Sequence, residues 1–148
     1  MSQPTPAQSG PNVLRRAIDE VINAGHLELI DELFHPDFVD HDVFPNEGDG
    51  NRASFKSFLE ELRAALPDLR FERQQDEVIA GNQIWCWYMA SGTMTGGPLF
   101  GKPPTGRFAR WREVHCVTVD AATGKIISHI GAGDDLGMLS QLGIIDMF

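Results

Sequence analysis

The residues of this chain best suited to moving protons are an imidazole, His115, and a carboxylate, Asp134. The first lies in Arg112-Glu113-Val114-His115-Cys116-Val117 and the second closes the run Ile126 to Asp134. The turn Asp120-Ala121-Ala122-Thr123-Gly124 between the two apolar-alternating runs predicts a hairpin, which folds His115 back towards Asp134. An aspartate among Ile130, Ala132, Leu136 and Met138 is expected to be desolvated, which raises its pKa and suits it to abstract a proton next to a carbonyl. The competing reading of Asp134 is a helix N-cap, and either Asp134 or Asp135 can fill that position before Leu136-Gly137-Met138-Leu139. His115 shares strand parity with Trp111, Glu113, Val117 and Val119. On a cavity-facing side it would polarise a carbonyl or an enolate oxygen by hydrogen bonding.

Further polar and aromatic residues surround these two. His41 stands between Asp40 and Asp42, and alternation sends the aspartates to one side and the imidazole to the other. His41 is a candidate substrate contact. Asp40, His41, His115 and His129 are good ligand types for zinc or iron, but no HxH or HExxH spacing joins them, so no metal is expected. Trp85, Trp87 and Met89 alternate along one run and, with Phe55, Phe58 and Trp111, are expected to wall a pocket for a flat polycyclic ligand. Gly96 to Gly106 carries four glycines and three prolines without the order of a phosphate-binding loop, and is expected to shape a pocket mouth or an oligomer contact.

Regular elements must position these groups. Val13, Leu14, Ala17, Ile18, Val21 and Ile22 recur at helical spacing up to Gly25, and Leu27, Ile30, Leu33 and Phe34 form a second short helix before Pro36. Phe38 to Phe44 alternates like a strand. A third helix from about Arg52 to Ala65 places Phe55, Phe58, Leu59 and Leu62 on one face and ends before Pro67. Strands are expected at Leu69–Gln75, with a possible continuation to Ala80, and at Gln83–Met94, Arg107–Val119 and Ile126–Ala132. Helices first and a mostly antiparallel sheet afterwards imply an α+β fold with helices over one face of a curved sheet.

With 148 residues, 42% of them hydrophobic, the chain can bury one substantial core, expected over residues 12–148 behind a flexible lead at residues 1–11. Twelve basic against twenty-one acidic residues leave a formal charge of −9 with the cations scattered, which argues against a nucleic-acid partner. No apolar run is long enough to span a bilayer and no signal-like start is present, so a cytoplasmic protein without a membrane partner is expected. Cys86 and Cys116 lie inside strand-like runs and read as buried thiols.

Several segments in order make the chain resemble the SnoaL-like polyketide cyclases (ester cyclases) of the NTF2-like superfamily. They are Phe38-Val39-Asp40-His41, Leu66-Pro67-Asp68-Leu69, Ser91-Gly92-Thr93-Met94-Thr95-Gly96, Gly101-Lys102-Pro103-Pro104-Thr105-Gly106-Arg107, and Asp134-Asp135-Leu136-Gly137 with Gln141-Leu142-Gly143. The resemblance implies a cone-shaped α+β barrel, a homodimer or higher homo-oligomer formed through the outer sheet surface, and a buried pocket that works without metal or organic cofactor. It also assigns the acid/base role to Asp134 and the supporting role to His115, in an intramolecular aldol-type ring closure of a small hydrophobic carbonyl compound. The chain departs from the family pattern at Met94, where His is common, and at Ser128 and Ile130, where Glu and Trp are common. Because related pockets host several chemistries, the alternatives are a cofactor-independent oxygenase or hydroxylase of a polycyclic aromatic substrate, or a non-catalytic small-molecule-binding protein.

Overall fold

A computed structural model describes residues 12–42 and 49–146. The expected lead at residues 1–11 and the end of the predicted strand at Val43 and Phe44 lie outside the described residues. Asn12 caps helix α1 (Val13–Arg16), its side chain accepting the Arg15 N–H at 2.8 Å, and the coil then widens into a π-helical turn over Ala17–Asn23. Leu14, Ala17, Ile18 and Val21 are buried on one face of this continuous segment, as their spacing predicts. The second helical stretch is a 3-10 turn, Leu27–Leu29, running into α2 (Ile30–Leu33). Helix α3 (Arg52–Ala65) begins with a reciprocal cap in which the Asn51 side chain accepts the Ser54 N–H and the Ser54 hydroxyl accepts the Asn51 N–H.

Strand β1 spans Phe34–Asp40, four residues earlier than its alternation predicts, and contains Pro36. Its register against its neighbour shifts between Phe34 and Val39, so Pro36 sits where the ladder asks for no N–H. A two-residue β2 (Gly50–Asn51) precedes α3, followed by β3 (Arg70–Arg73), β4 (Val78–Ala80), β5 (Gln83–Thr93), β6 (Phe108–Val119) and β7 (Ile126–Gly133), and α4 (Asp135–Gln141) closes the chain. The sheet order is β2-β1-β7-β6-β5-β3, with β4 also on β5. All pairings are antiparallel except β1 with β7. The sheet is curved and unclosed, giving the expected α+β architecture. No helix of the described residues is long and apolar enough to cross a membrane.

Register decides which face each strand residue uses. On the inner face Tyr88 lies opposite Glu113, Cys86 opposite His115 and Ala90 opposite Trp111, and on the other side of β6 Gly133 and Gly131 face Glu113 and His115. Ile84, Cys86, Tyr88, Ala90, Trp111 and Val117 join the buried residues of the helices in one core. Each large apolar side chain buried there contributes about 1.5–3 kcal/mol. Trp85, Trp87 and Met89 point the opposite way, correcting their expected place in the pocket wall. Both alternating sets on β5 are apolar, so periodicity could not choose between its faces.

Candidate functional site

Two strand ends far apart in sequence meet at the site. The parallel pairing of β1 with β7 sets Asp40 beside His129, and β6 supplies His115 next to both. Asp40 is 7% exposed, and its Oδ1 lies 2.8 Å from His129 Nδ1. His129 Nε2 in turn lies 2.7 Å from His115 Nδ1, with the two rings stacked at 4.9 Å. His115 and Glu113 side chains are only 12% and 13% exposed, and His115 Nε2 stands 3.7 Å from Glu113 Oε2, beyond hydrogen-bonding distance. Among the described residues, His115 Nε2 and the Tyr88 hydroxyl are buried without a hydrogen-bond partner. Phe71 and Tyr88 flank the His115 ring at 5.7 and 5.9 Å.

The electrostatics separate the two central groups. Burial pushes the Glu113 carboxyl up to about 7, against the hydrogen bond it accepts from Trp111 Nε1–H at 2.7 Å and assisted by repulsion from Asp135 and Asp42. Burial, with the neighbouring His129, holds His115 down at about 3, so its ring is neutral at physiological pH. Asp42 and Asp135 are both raised above the usual carboxylate range, each chiefly by burial. A carboxyl that titrates near neutrality beside an unpartnered imidazole nitrogen is competent for proton transfer.

Two inward glycines make room for this. A Cβ on Gly133 would stand 2.5 Å from Glu113 Oε2, and one on Gly131 would stand 2.6 Å from Asp42 Oδ2 and 3.2 Å from His115 Nδ1. Gly133→Ala is therefore expected to displace the Glu113 carboxyl and lower kcat by roughly tenfold or more, with the thermal midpoint shifted by only a few degrees. Steady-state kinetics and a melt on the same preparation check both.

The residues singled out from sequence separate. His115 and Trp111 are in the site, Trp111 only 2% exposed. Asp134 is exposed at the N-cap of α4, its Oδ1 accepting the Gly137 N–H at 2.9 Å, which corrects the expected desolvated position. The strand pairing ends with Glu113 opposite Gly133, one residue before Asp134, so the hairpin delivers Glu113 rather than Asp134 to the buried face. His41 is exposed with Nδ1 3.1 Å from Asp49 Oδ1, on the side away from Asp40. Phe55 packs at 5.0 Å on Phe34 and 5.9 Å from Phe38, while Phe58 is 43% exposed and stacks 6.1 Å from Phe100. Glu113 was not among the residues singled out from sequence, although its parity with His115 and the glycines across from it carried the signal.

Donor atoms of Asp42, His115 and His129 lie within 4.8 Å of one another, the arrangement a divalent cation would need. Two nitrogens on one tetrahedral ion stand about 3.4 Å apart. The 2.7 Å contact between the rings suits a shared proton instead, and an ion would have to part them.

A family model described as SnoaL-like polyketide cyclase matches residues 12–142. Among solved structures, the chain is 28% identical to wild-type IdmH, a candidate polyketide cyclase from Streptomyces antibioticus, over 95% of this chain and 99% of that one with a TM-score of 0.73. A candidate SnoaL-like polyketide cyclase from Jannaschia sp. CCS1 has the same fold at 18% identity, covering 98% and 99% of the two chains with a TM-score of 0.78. So does AclR, a candidate hydroxylase from Streptomyces galilaeus, at 20% identity, 92% and 82% coverage and a TM-score of 0.76. No curated protein matches the sequence significantly.

Proposed function

Since this chain belongs to the family of SnoaL-like polyketide cyclases, we propose that it is an enzyme closing a ring in a small hydrophobic carbonyl compound by intramolecular aldol-type addition. The observation that supports this reading is the pairing of a buried carboxyl pushed up to about 7 with a buried imidazole nitrogen that has no hydrogen-bond partner, 3.7 Å away. The substrate enters as its enol. His115 Nε2, carrying a lone pair, takes the proton of the enol hydroxyl as the enol carbon attacks a second carbonyl of the same molecule. The C–C bond forms, the carbonyl π bond opens to an alkoxide, and Glu113, as the carboxylic acid, gives that alkoxide its proton. The proton held on the histidines then restores Glu113, so no net proton is gained or lost. Holding the flexible chain folded beside Glu113 and His115 supplies orientation, worth up to roughly ten kcal/mol of the barrier in favourable cases.

The test is incubation of the purified protein with a panel of poly-β-keto esters, following ring formation by mass-resolved chromatography while recording dissolved oxygen. Ring closure without oxygen uptake is the expected result. Stoichiometric oxygen uptake would replace the reading with hydroxylation, and tight binding without conversion would replace it with a carrier role.

Self-association belongs to the same reading. The outer sheet face carries Trp85, Val78, Val114 and Ile130, all at least 39% exposed, around half-buried Trp87 and Met89, and it faces away from the site. Ile130→Glu is expected to convert a homodimer to monomer in light scattering while leaving turnover in place. A wild-type protein that is monomeric at high micromolar concentration would rule this face out.

A further inference from the structure

We propose that Asp40 and His129 are positioning residues that fix the proton of His115 on Nδ1, leave its lone pair on Nε2, and take over that Nδ1 proton when Nε2 receives one. The inference rests on the proposed function for its catalytic consequence, but its geometric part does not.

Asp40 Oδ1 accepts the Asp42 N–H at 3.0 Å, which fixes the carboxylate against the backbone just after β1, and lies 2.8 Å from His129 Nδ1. A carboxylate only accepts, so His129 Nδ1 carries the hydrogen and the Nε2 of a neutral ring is bare. That bare nitrogen is 2.7 Å from His115 Nδ1, which must then be the donor. In a neutral ring the second nitrogen has no hydrogen, so the lone pair of His115 stands on Nε2, the buried atom that has no partner. The reverse order would set a bare His129 Nδ1 against the Asp40 carboxylate, two acceptors at 2.8 Å. The chain is local to β1, β6 and β7, and the charged groups that face it are Asp40 from β1, Asp42 just beyond it, Glu113 from β6 and Asp135 from α4. No lysine or arginine is hydrogen-bonded to any of these four among the described residues, so positive charge arriving on the rings meets only carboxylates.

The step balances. A proton from an enol hydroxyl forms an N–H bond at His115 Nε2, the N–H bond at His115 Nδ1 breaks, and one forms at His129 Nε2. The positive charge then rests on His129 beside Asp40 and not on the His115 ring. This is how a ring that burial keeps neutral can still act as an acceptor of protons. The His129 ring never touches substrate in this scheme, and its effect passes through His115.

Side-chain nitrogen NMR of the ¹⁵N-histidine-labelled protein, without substrate and at mildly alkaline pH, reads the tautomers directly. Both His115 and His129 are expected in the Nδ1–H form. His129→Gln, whose amide oxygen can still accept, is expected to keep His115 in that form, whereas His129→Phe is expected to switch it to Nε2–H. With the compound found in the ester panel, His129→Gln should lower kcat by at least tenfold at unchanged KM, because an amide cannot take up the proton. His115 found as Nε2–H in the wild type overturns the proposal, with no variant needed. An unchanged kcat in His129→Gln overturns it too. Failure of every panel compound to react counts against the proposed function and leaves the tautomer result to decide the hydrogen-bond chain.

Discussion

Glu113→Gln is expected to lower kcat by about 10²- to 10⁴-fold, the range of a lost general acid/base, while Asp134→Asn leaves it within a few-fold of wild type. The contrast follows from where the two carboxyls sit. Glu113 is 13% exposed, lies 3.7 Å from the bare His115 nitrogen and titrates at about 7, so it has both the position and the pKa for shuttling a proton near neutral pH. Glutamine preserves its shape and still accepts the Trp111 Nε1–H, so loss of turnover would report lost proton transfer rather than lost packing. Asp134 is exposed and engaged with the Gly137 N–H. Asparagine caps a helix about as well as aspartate, and only Asp134→Ala should cost stability, by about 1 kcal/mol. Steady-state kinetics on both variants decide between the roles. Turnover abolished by Asp134→Asn and retained by Glu113→Gln would return the base to Asp134 and withdraw Glu113 from the chemistry.

The second large effect is on stability, and it has the opposite sign. Between about 4.5 and 7 the unfolded chain has released the Glu113 proton while the native protein keeps it, so the unfolded state binds fewer protons and stability falls as pH rises. The full contribution is present below about 4.5 and gone above about 7, a loss of about 3 kcal/mol at most. Glu113→Gln has no charge to bury. Its advantage over wild type is therefore expected to be near zero at about pH 4.5 and to widen to that figure at about pH 8, read from urea midpoints across the pH range. A difference that does not vary with pH would show that Glu113 is not desolvated. His115 works from the acid side. Its folded value of about 3 lies below the unfolded 6.5, so its contribution is whole above about 6.5 and is lost as pH falls towards 3. The joint contribution of these two groups is greatest between about pH 4.5 and 6.5, where their opposite slopes offset. A variant that gains stability and loses turnover at one residue is the signature of a destabilised site kept for function.

Much of this was legible in residue order. The helical spacing of Leu14, Ala17, Ile18 and Val21, the start of α3 at about Arg52, the turn at Asp120–Gly124 and the long alternating runs of β5 and β6 are local signals. They depend on neighbours within a few residues, which is the range over which side-chain periodicity and turn chemistry act. The opposition of Asp40 and Asp42 to His41, the parity of His115 with Trp111 and Glu113, and the cyclase motifs belong to the same class. Three things needed tertiary structure. The parallel pairing of β1 with β7 joins Asp40 to His129 across 89 residues, and no local pattern encodes a crossover partner. Burial falls on Glu113, whose carboxyl it raises, while the capping Asp134 is exposed, because burial depends on what packs over a residue rather than on the residue beside it. The choice of face for β5 fell to Tyr88 over Trp85 and Trp87, since both faces of that strand are apolar and only packing against helices and β6 distinguishes inside from out. Sequence alone therefore determined most of the elements, the family and the shared parity of His115 with Trp111 and Glu113, and the folded chain decided that this parity faces inward and which carboxyl stands beside the imidazole.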